Sequence, residues 1–164
     1  MSYLLDANVF MSANNLHYGL DFCPAFWEWL AHKSHTGAVL SIDKVADEIE
    51  AGQDALSEWA RVHGQQLFRR TPPALAPQFT QVSAWAMGQQ YTPAAINTFL
   101  QAADFYLIAH ALAYQHVVVA HEVPANSSAR IKIPNACVGL GVRFMTPFKM
   151  LRIEKARFVL GAHA

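Results

Sequence analysis

"AADFYLIAHALAYQHVVVAHE", residues 102–122, carries the two periodicities that decide the fold. Leu107, Ile108, Ala111 and Leu112 recur at helical spacing and mark the apolar stripe of a helix over 102–115. "HVVVAHE" follows with hardly a break, and its β-branched run reads as a short buried strand. A helix feeding straight into such a strand predicts an α/β domain with a mostly parallel central sheet.

The same alternation extends in both directions. "YLLDANVF", 3–10, reads as a buried strand, and "CPAFWEWLAHKSH", 23–35, as a helix starting at Pro24, a favoured first-turn position. "AVLSI", 38–42, is a second strand. "DKVADEIEAG", 43–52, is a helix with Asp43 as N-cap, and "DALSEWARVHG", 54–64, is a helix closed by its glycine. "QLFRR", 66–70, predicts a strand, and 78–100 is helical with breaks near Gly88 and at Pro93. Beyond Glu122 come a polar loop over 124–130, a short helix in "PNACVGLG", a strand in "VRFM" and a terminal helix in "PFKMLRIEKARF". There is no internal repeat, so residues 1–164 read as a single domain.

Composition narrows the classes. Hydrophobic residues make up 53% and charged residues 15%, which suits a packed core and excludes a disordered tail. No apolar run approaches the roughly 18–20 residues that span a bilayer. The N-terminus lacks a basic region and cleavage site, so the expected location is cytoplasmic, with no membrane partner. Cys23 and Cys137 lie in apolar contexts and are expected reduced, since two cysteines make neither a disulfide scaffold nor a zinc site. Formal net charge is zero, against a strongly basic nucleic-acid module. The charges are unevenly spread. Up to Glu122 there are five Lys/Arg against eleven Asp/Glu, and from Val123 onward seven against one. Such a chain can bring cations and a polyanion together on one domain.

Acids stand where apolar residues are expected. Asp6 follows "YLL" and Glu122 follows "VVVAH", so two hydrophobic strands end in carboxylates, and parallel α/β sheets build sites at those ends. Asp104 shares the apolar face of its helix, four residues before Ile108. A carboxylate there is costly unless it is paired, bound or capping the helix. In "ADEIE", Val45 and Ile49 mark the buried side; Glu48 borders it, while Asp47 and Glu50 point to solvent. Four carboxylates in one cleft raise each other's pKa, and a divalent cation reverses that cost. An oxygen-only set suits Mg²⁺ or Mn²⁺ rather than zinc.

In this order the motifs resemble the PIN-domain family of metal-dependent ribonucleases. "YLLDANVF" supplies the aspartate after the first strand, Asp6. "VADEIEAG" looks like the family's glutamate followed four residues later by glycine, supplying Glu48. "AADFYLIAHALAYQHVVVAHE" looks like its later helix–strand unit, supplying Asp104 and Glu122. Glu122 stands where Asp is commoner, and Asn8 is the nearest counterpart of the family's small polar residue, with a water-orienting or supporting role. "YGLDFCPAFWEWL", "IKIPNACVGLGV" and "FKMLR" look like a less characterised PIN-like branch. The resemblance implies a three-layer PIN-like fold. It further implies an endoribonuclease with Asp6 and Asp104 as primary ligands of Mg²⁺ or Mn²⁺, Glu48 and Glu122 supporting them. Many members are toxins of type II toxin–antitoxin pairs, so a cognate antitoxin is an implied partner beside the RNA substrate, with Phe22 to Trp29 a candidate surface and a homodimer also admitted.

Arg69, Arg70, Arg130 and Lys132 are the candidates for holding RNA phosphates, and the sequence does not choose among them. His110, on a helix flank, and His121, beside the acids, match no zinc spacing. Two rival readings compete. A haloacid-dehalogenase-like phosphatase needs a second Asp where Asn8 stands. A non-catalytic PIN-like binding module would keep the fold with a degenerate acidic site.

Overall fold

A computed structural model describes residues 2–161 of the chain. Its elements run β1 Tyr3–Leu5, α1 Ala7–Ser12, a π-helical turn Ala13–His17, α2 Pro24–His35, β2 Val39–Ile42, α3 Asp43–Glu50, α4 Ala55–Leu67 and β3 Phe68–Arg69. A 3₁₀ turn, Pro73–Leu75, leads to α5 Ala76–Gly88, α6 Pro93–Gln101, α7 Ala103–Tyr114, β4 Val117–Val119, α8 Ile133–Leu140, β5 Phe144–Met145 and α9 Pro147–Ile153. Among the described residues five strands form one sheet in the order β3-β2-β1-β4-β5, every pair parallel. Tyr3 pairs with Val39 on one side and Val117 on the other, so β1 is the middle strand.

This order makes a three-layer α/β domain. Connections from β1 outward to β3 run one way across the sheet, and those from β3 through β4 to β5 run back. With right-handed crossovers the two sets of helices fall on opposite faces. One face carries the Phe10–Trp59–Trp27 packing of α1, α4 and α2; the other carries α7 with α5, α6 and α8 around it. Leu4, Leu5, Val118, Val119, Leu107 and Ile108 are fully buried between them, each worth about 1.5–3 kcal/mol of burial. The chain reverses its direction of travel between β1 and β4, and in open parallel sheets that switch point is where ligands bind.

The structure departs from the sequence reading at particular places. "YLLDANVF" is not one strand: β1 stops at Leu5, and Asp6 is the extended residue before a helix. Asp43 is not the N-cap residue of its helix but its first helical residue; its carboxylate accepts from the Lys44 N–H of the same turn (2.9 Å) and from the Thr71 N–H and hydroxyl (3.1 and 2.9 Å). Helix α4 runs through Gly64 to Leu67, and the glycine is there because a Cβ at that point would meet the Phe68 ring at 2.9 Å. The stretch Phe22 to Trp29 is not one continuous aromatic surface, since Phe26 and Trp27 are core residues and, of its aromatics, only Phe22 is well exposed. Both cysteines are free, Cys137 in the core. Among the described residues no helix is long and apolar enough to cross a membrane.

A second close approach gives a test of packing. A Cβ on Gly139 of α8 would lie 2.1 Å from Trp85 Nε1 on α5. Alanine normally gains about 1 kcal/mol over glycine inside a helix, but overpacking costs about 1–3 kcal/mol. Trp85 is half-buried and stands against Tyr91, so the overlap wins. Gly139→Ala is expected to lower stability by about 1 kcal/mol in chemical denaturation.

Candidate metal centre

Asp6 sits at the switch point because the strand before it is three residues long and fully paired. Its N–H donates to the Val119 carbonyl of β4 (3.0 Å), and the Leu5 carbonyl accepts from the Ser41 hydroxyl of β2 (2.6 Å). The backbone is thus clamped from both neighbouring strands. The side chain is 3% exposed, precedes α1, and yet makes no capping hydrogen bond. Its Oδ2 is buried without any partner. The capping explanation for an acid at a strand end therefore fails here. An orphaned carboxylate oxygen in the interior costs on the order of 1–3 kcal/mol or more, and something must compensate it.

The other acids surround it. Asp104 is in the first turn of α7, two residues after the cap residue Ala102, and its carboxylate faces its own backbone N–H. Burial, then Asp104, then Glu122 and Glu48 push the Asp6 carboxyl up to about 8, with the Ala7 N–H opposing. Burial, then Glu122 and Glu48 push Asp104 up to about 6, and Arg130 pulls it down. Glu48 is an exposed residue of α3 at the rim, its carboxyl raised by partial burial and lowered by the Ala103 N–H. Asp47 and Glu50 are exposed on the same helix and raise neither Asp6 nor Asp104. Of the four acids singled out by sequence, Asp104, Glu122 and Glu48 all act electrostatically on Asp6, and Glu122 and Glu48 on Asp104.

Glu122 differs in kind. Its side chain is 10% exposed and both oxygens are engaged: Oε1 accepts from Arg130 (3.3 Å) and Oε2 from the Ile133 N–H (3.0 Å). Asn8 lies exposed in α1, and among the described residues its side chain makes no hydrogen bond. Arg130 lines a cleft of about 370 Å³ with Asp104, Thr98 and Phe99, whereas Arg69 and Arg70 line other cavities beyond β3. Lys132 is the cap residue of α8.

Three backbone donors complete the electrostatics, and no side-chain pattern announces them. The Ala7, Ala103 and Ile133 N–H groups belong to the first turns of α1, α7 and α8, and each faces one of the acids. Helix N-termini carry partial positive charge and offset some of the mutual repulsion. The signal available in sequence was positional: each acid stands near a strand-to-helix junction.

The histidines are not part of this centre in the way of ligands. His110 is buried in the core rather than on a flank, and its Nε2 is 3.2 Å from the Thr71 hydroxyl, which donates to Asp43. Burial lowers its pKa to about 4, so it is neutral at pH 7. His121 packs with His17 and Phe148.

The donor set fits a hard divalent ion. Asp6 and Asp104 offer carboxylates raised by burial and by one another, one with an unpartnered oxygen, and a cation at that point would relieve both costs. Among the described residues no three His, Cys, Asp or Glu stand close enough together to hold an ion by themselves, so an ion here would rest on Asp6 and Asp104 with water completing its shell. The model of a family described as "Domain of unknown function (DUF4411)" matches residues 3–158. No curated protein and no solved structure matches the chain.

Proposed function

The chain belongs to the DUF4411 family, and from the acids at its sheet edge we propose that it is a PIN-like, Mg²⁺- or Mn²⁺-dependent endoribonuclease that hydrolyses RNA phosphodiester bonds. The observation that carries this reading is the buried, unpartnered Oδ2 of Asp6 amid three further carboxylates. Asp6 and Asp104 would hold the ion, being short side chains fixed on rigid elements. The chemistry an ion supplies there is activation of water and neutralisation of phosphate charge. Glu48, solvent-facing and with a raised pKa, orients the attacking water and takes up its proton. Water adds to phosphorus, and the P–O bond to the leaving ribose oxygen breaks. The protein works in the cytoplasm as the toxin of a toxin–antitoxin pair, silenced by an antitoxin segment.

A binding module with a degenerate site is the second reading, and one observation favours it: both Glu122 oxygens are already committed to Arg130 and Ile133. Incubating the purified chain with RNA, with and without Mn²⁺, separates the two. Asp47→Asn, one residue from Glu48 but directed to solvent, should keep activity within about twofold of wild type, as expected of a surface change. Equal loss in Asp47→Asn and Asp6→Asn would sink the assignment of the site. If the chain expressed alone leaves growth and cellular RNA intact, the toxin role fails.

A further inference from the structure

A site made of four carboxylates repels the polyanion it is meant to cut, so something must hold the strand against it. Arg130 stands with Asp104 on the wall of the 370 Å³ cleft. Its side chain is 61% exposed, while that of Glu122, to which it is paired, is 10% exposed. Glu122 is pinned from behind by the Ile133 N–H and engages a single Arg130 nitrogen, NH2. A guanidinium has five N–H donors in a planar fork, so most of that fork faces outward.

The cleft pairs these charged groups with an apolar lining. Its floor includes Phe99 and Ile131, each 4% exposed, and its rim carries the small residues Thr98 and Ala129. An unstacked base fits such a slot, and a base locked in a duplex does not reach it.

We propose that Arg130 anchors a phosphate of single-stranded RNA whose adjoining nucleotide lies in the Asp104–Thr98 cleft, with Glu122 the positioning residue that holds Arg130 in place. This rests on the nuclease reading, and it moves Glu122 from the metal's supporting set to the substrate's. A lone surface arginine would bind phosphate in many orientations; one held by a buried, backbone-fixed carboxylate presents its fork in one direction.

The test is RNA binding by the full-length Asp6→Asn protein in Mg²⁺, where cleavage is blocked, using a short single strand and its duplex. The single strand should bind more tightly than the duplex. Adding Arg130→Ala should weaken single-strand binding about tenfold and reduce the log–log salt slope by about 0.7, one phosphate contact. Arg130→Lys should recover part of the loss, and Thr98→Trp, filling the cleft from its exposed rim, should weaken binding. Arg143→Ala, an exposed arginine on another cavity, should change nothing. In the otherwise wild-type enzyme Glu122→Gln should raise KM with kcat and Mn²⁺ affinity retained. Undiminished binding by Arg130→Ala overturns the anchor, and loss of Mn²⁺ affinity in Glu122→Gln overturns the positioning role. If the wild-type chain cuts no RNA while the binding results hold, the nuclease reading falls and the anchor stands.

Discussion

Asp6→Asn should abolish metal-dependent RNA cleavage, by about 10³-fold or more, and at the same time stabilise the metal-free protein. The activity loss follows from removing a primary ligand, since a catalytic ion supplies several kcal/mol of barrier lowering. The stability gain follows from the same carboxylate. With its pKa pushed up to about 8, first by burial and then by Asp104, Asp6 binds a proton in the folded state that it has lost in the unfolded state between about pH 4 and 8. Folded protein therefore holds more protons over that range, and stability falls as pH rises through it. Asparagine removes the charge but leaves its own amide short of partners, so the net gain above pH 8 is about 2 kcal/mol, or about 6 °C in Tm. Near pH 4 the two proteins should differ little. The buried histidine works in the opposite sense. His110, lowered to about 4, gives stability that is complete above about pH 6.5 and lost as pH falls toward 4. Between pH 6.5 and 8 the carboxylates act alone, and that window is where melting curves of wild type and variant should diverge most clearly. Parallel curves there would remove the argument for an uncompensated buried charge.

Mn²⁺ binding should tighten steeply with pH. A ligand carboxylate must be deprotonated to bind, so the ion competes with protons. Asp6 with its pKa near 8 is mostly protonated at pH 7, and Asp104 near 6 is mostly ionised. Affinity is expected to rise about tenfold per pH unit between 6 and 8, to steepen below 6 where both groups carry protons, and to flatten above 8. Calorimetric titration at pH 7 in buffers of different ionisation enthalpy should report about one proton released per ion bound. Binding that is independent of pH across this range would separate Asp6 from the metal.

Both predictions rest on residues that sequence could find. Asp104 betrayed itself by occupying an apolar helical stripe, and Asp6 by following a buried strand; each signal is local and needs no tertiary partner. Glu122 was equally visible as an acid, but its role hangs on Arg130 and on the start of α8, eight and eleven residues away across a loop whose path no periodicity encodes. Helix α1 was missed because a three-residue strand followed at once by Ala7, Val9 and Phe10 leaves the apolar pattern unbroken while the backbone changes state. Gly64 misled for a related reason: a glycine that ends one helix admits an aromatic ring beside another. The parallel sheet was legible from the alternation of patterns, whereas its order came only from pairing.

The central position of β1 has a consequence for synthesis. The strand that receives the Asp6 N–H, Val117–Val119, is made more than a hundred residues after Asp6 itself. Asp104 and Glu122 arrive with that late strand. Glu154, farther on, accepts from Tyr3 on β1 and Lys33 on α2. Before α7 is made, only Asp6 and Glu48 of the four site acids exist, and β1 has its β2 neighbour but not β4. For a protein proposed to cut RNA, translated from an RNA, this topology acts as a timer: the proposed cutting edge cannot assemble until Val117–Val119 has been made.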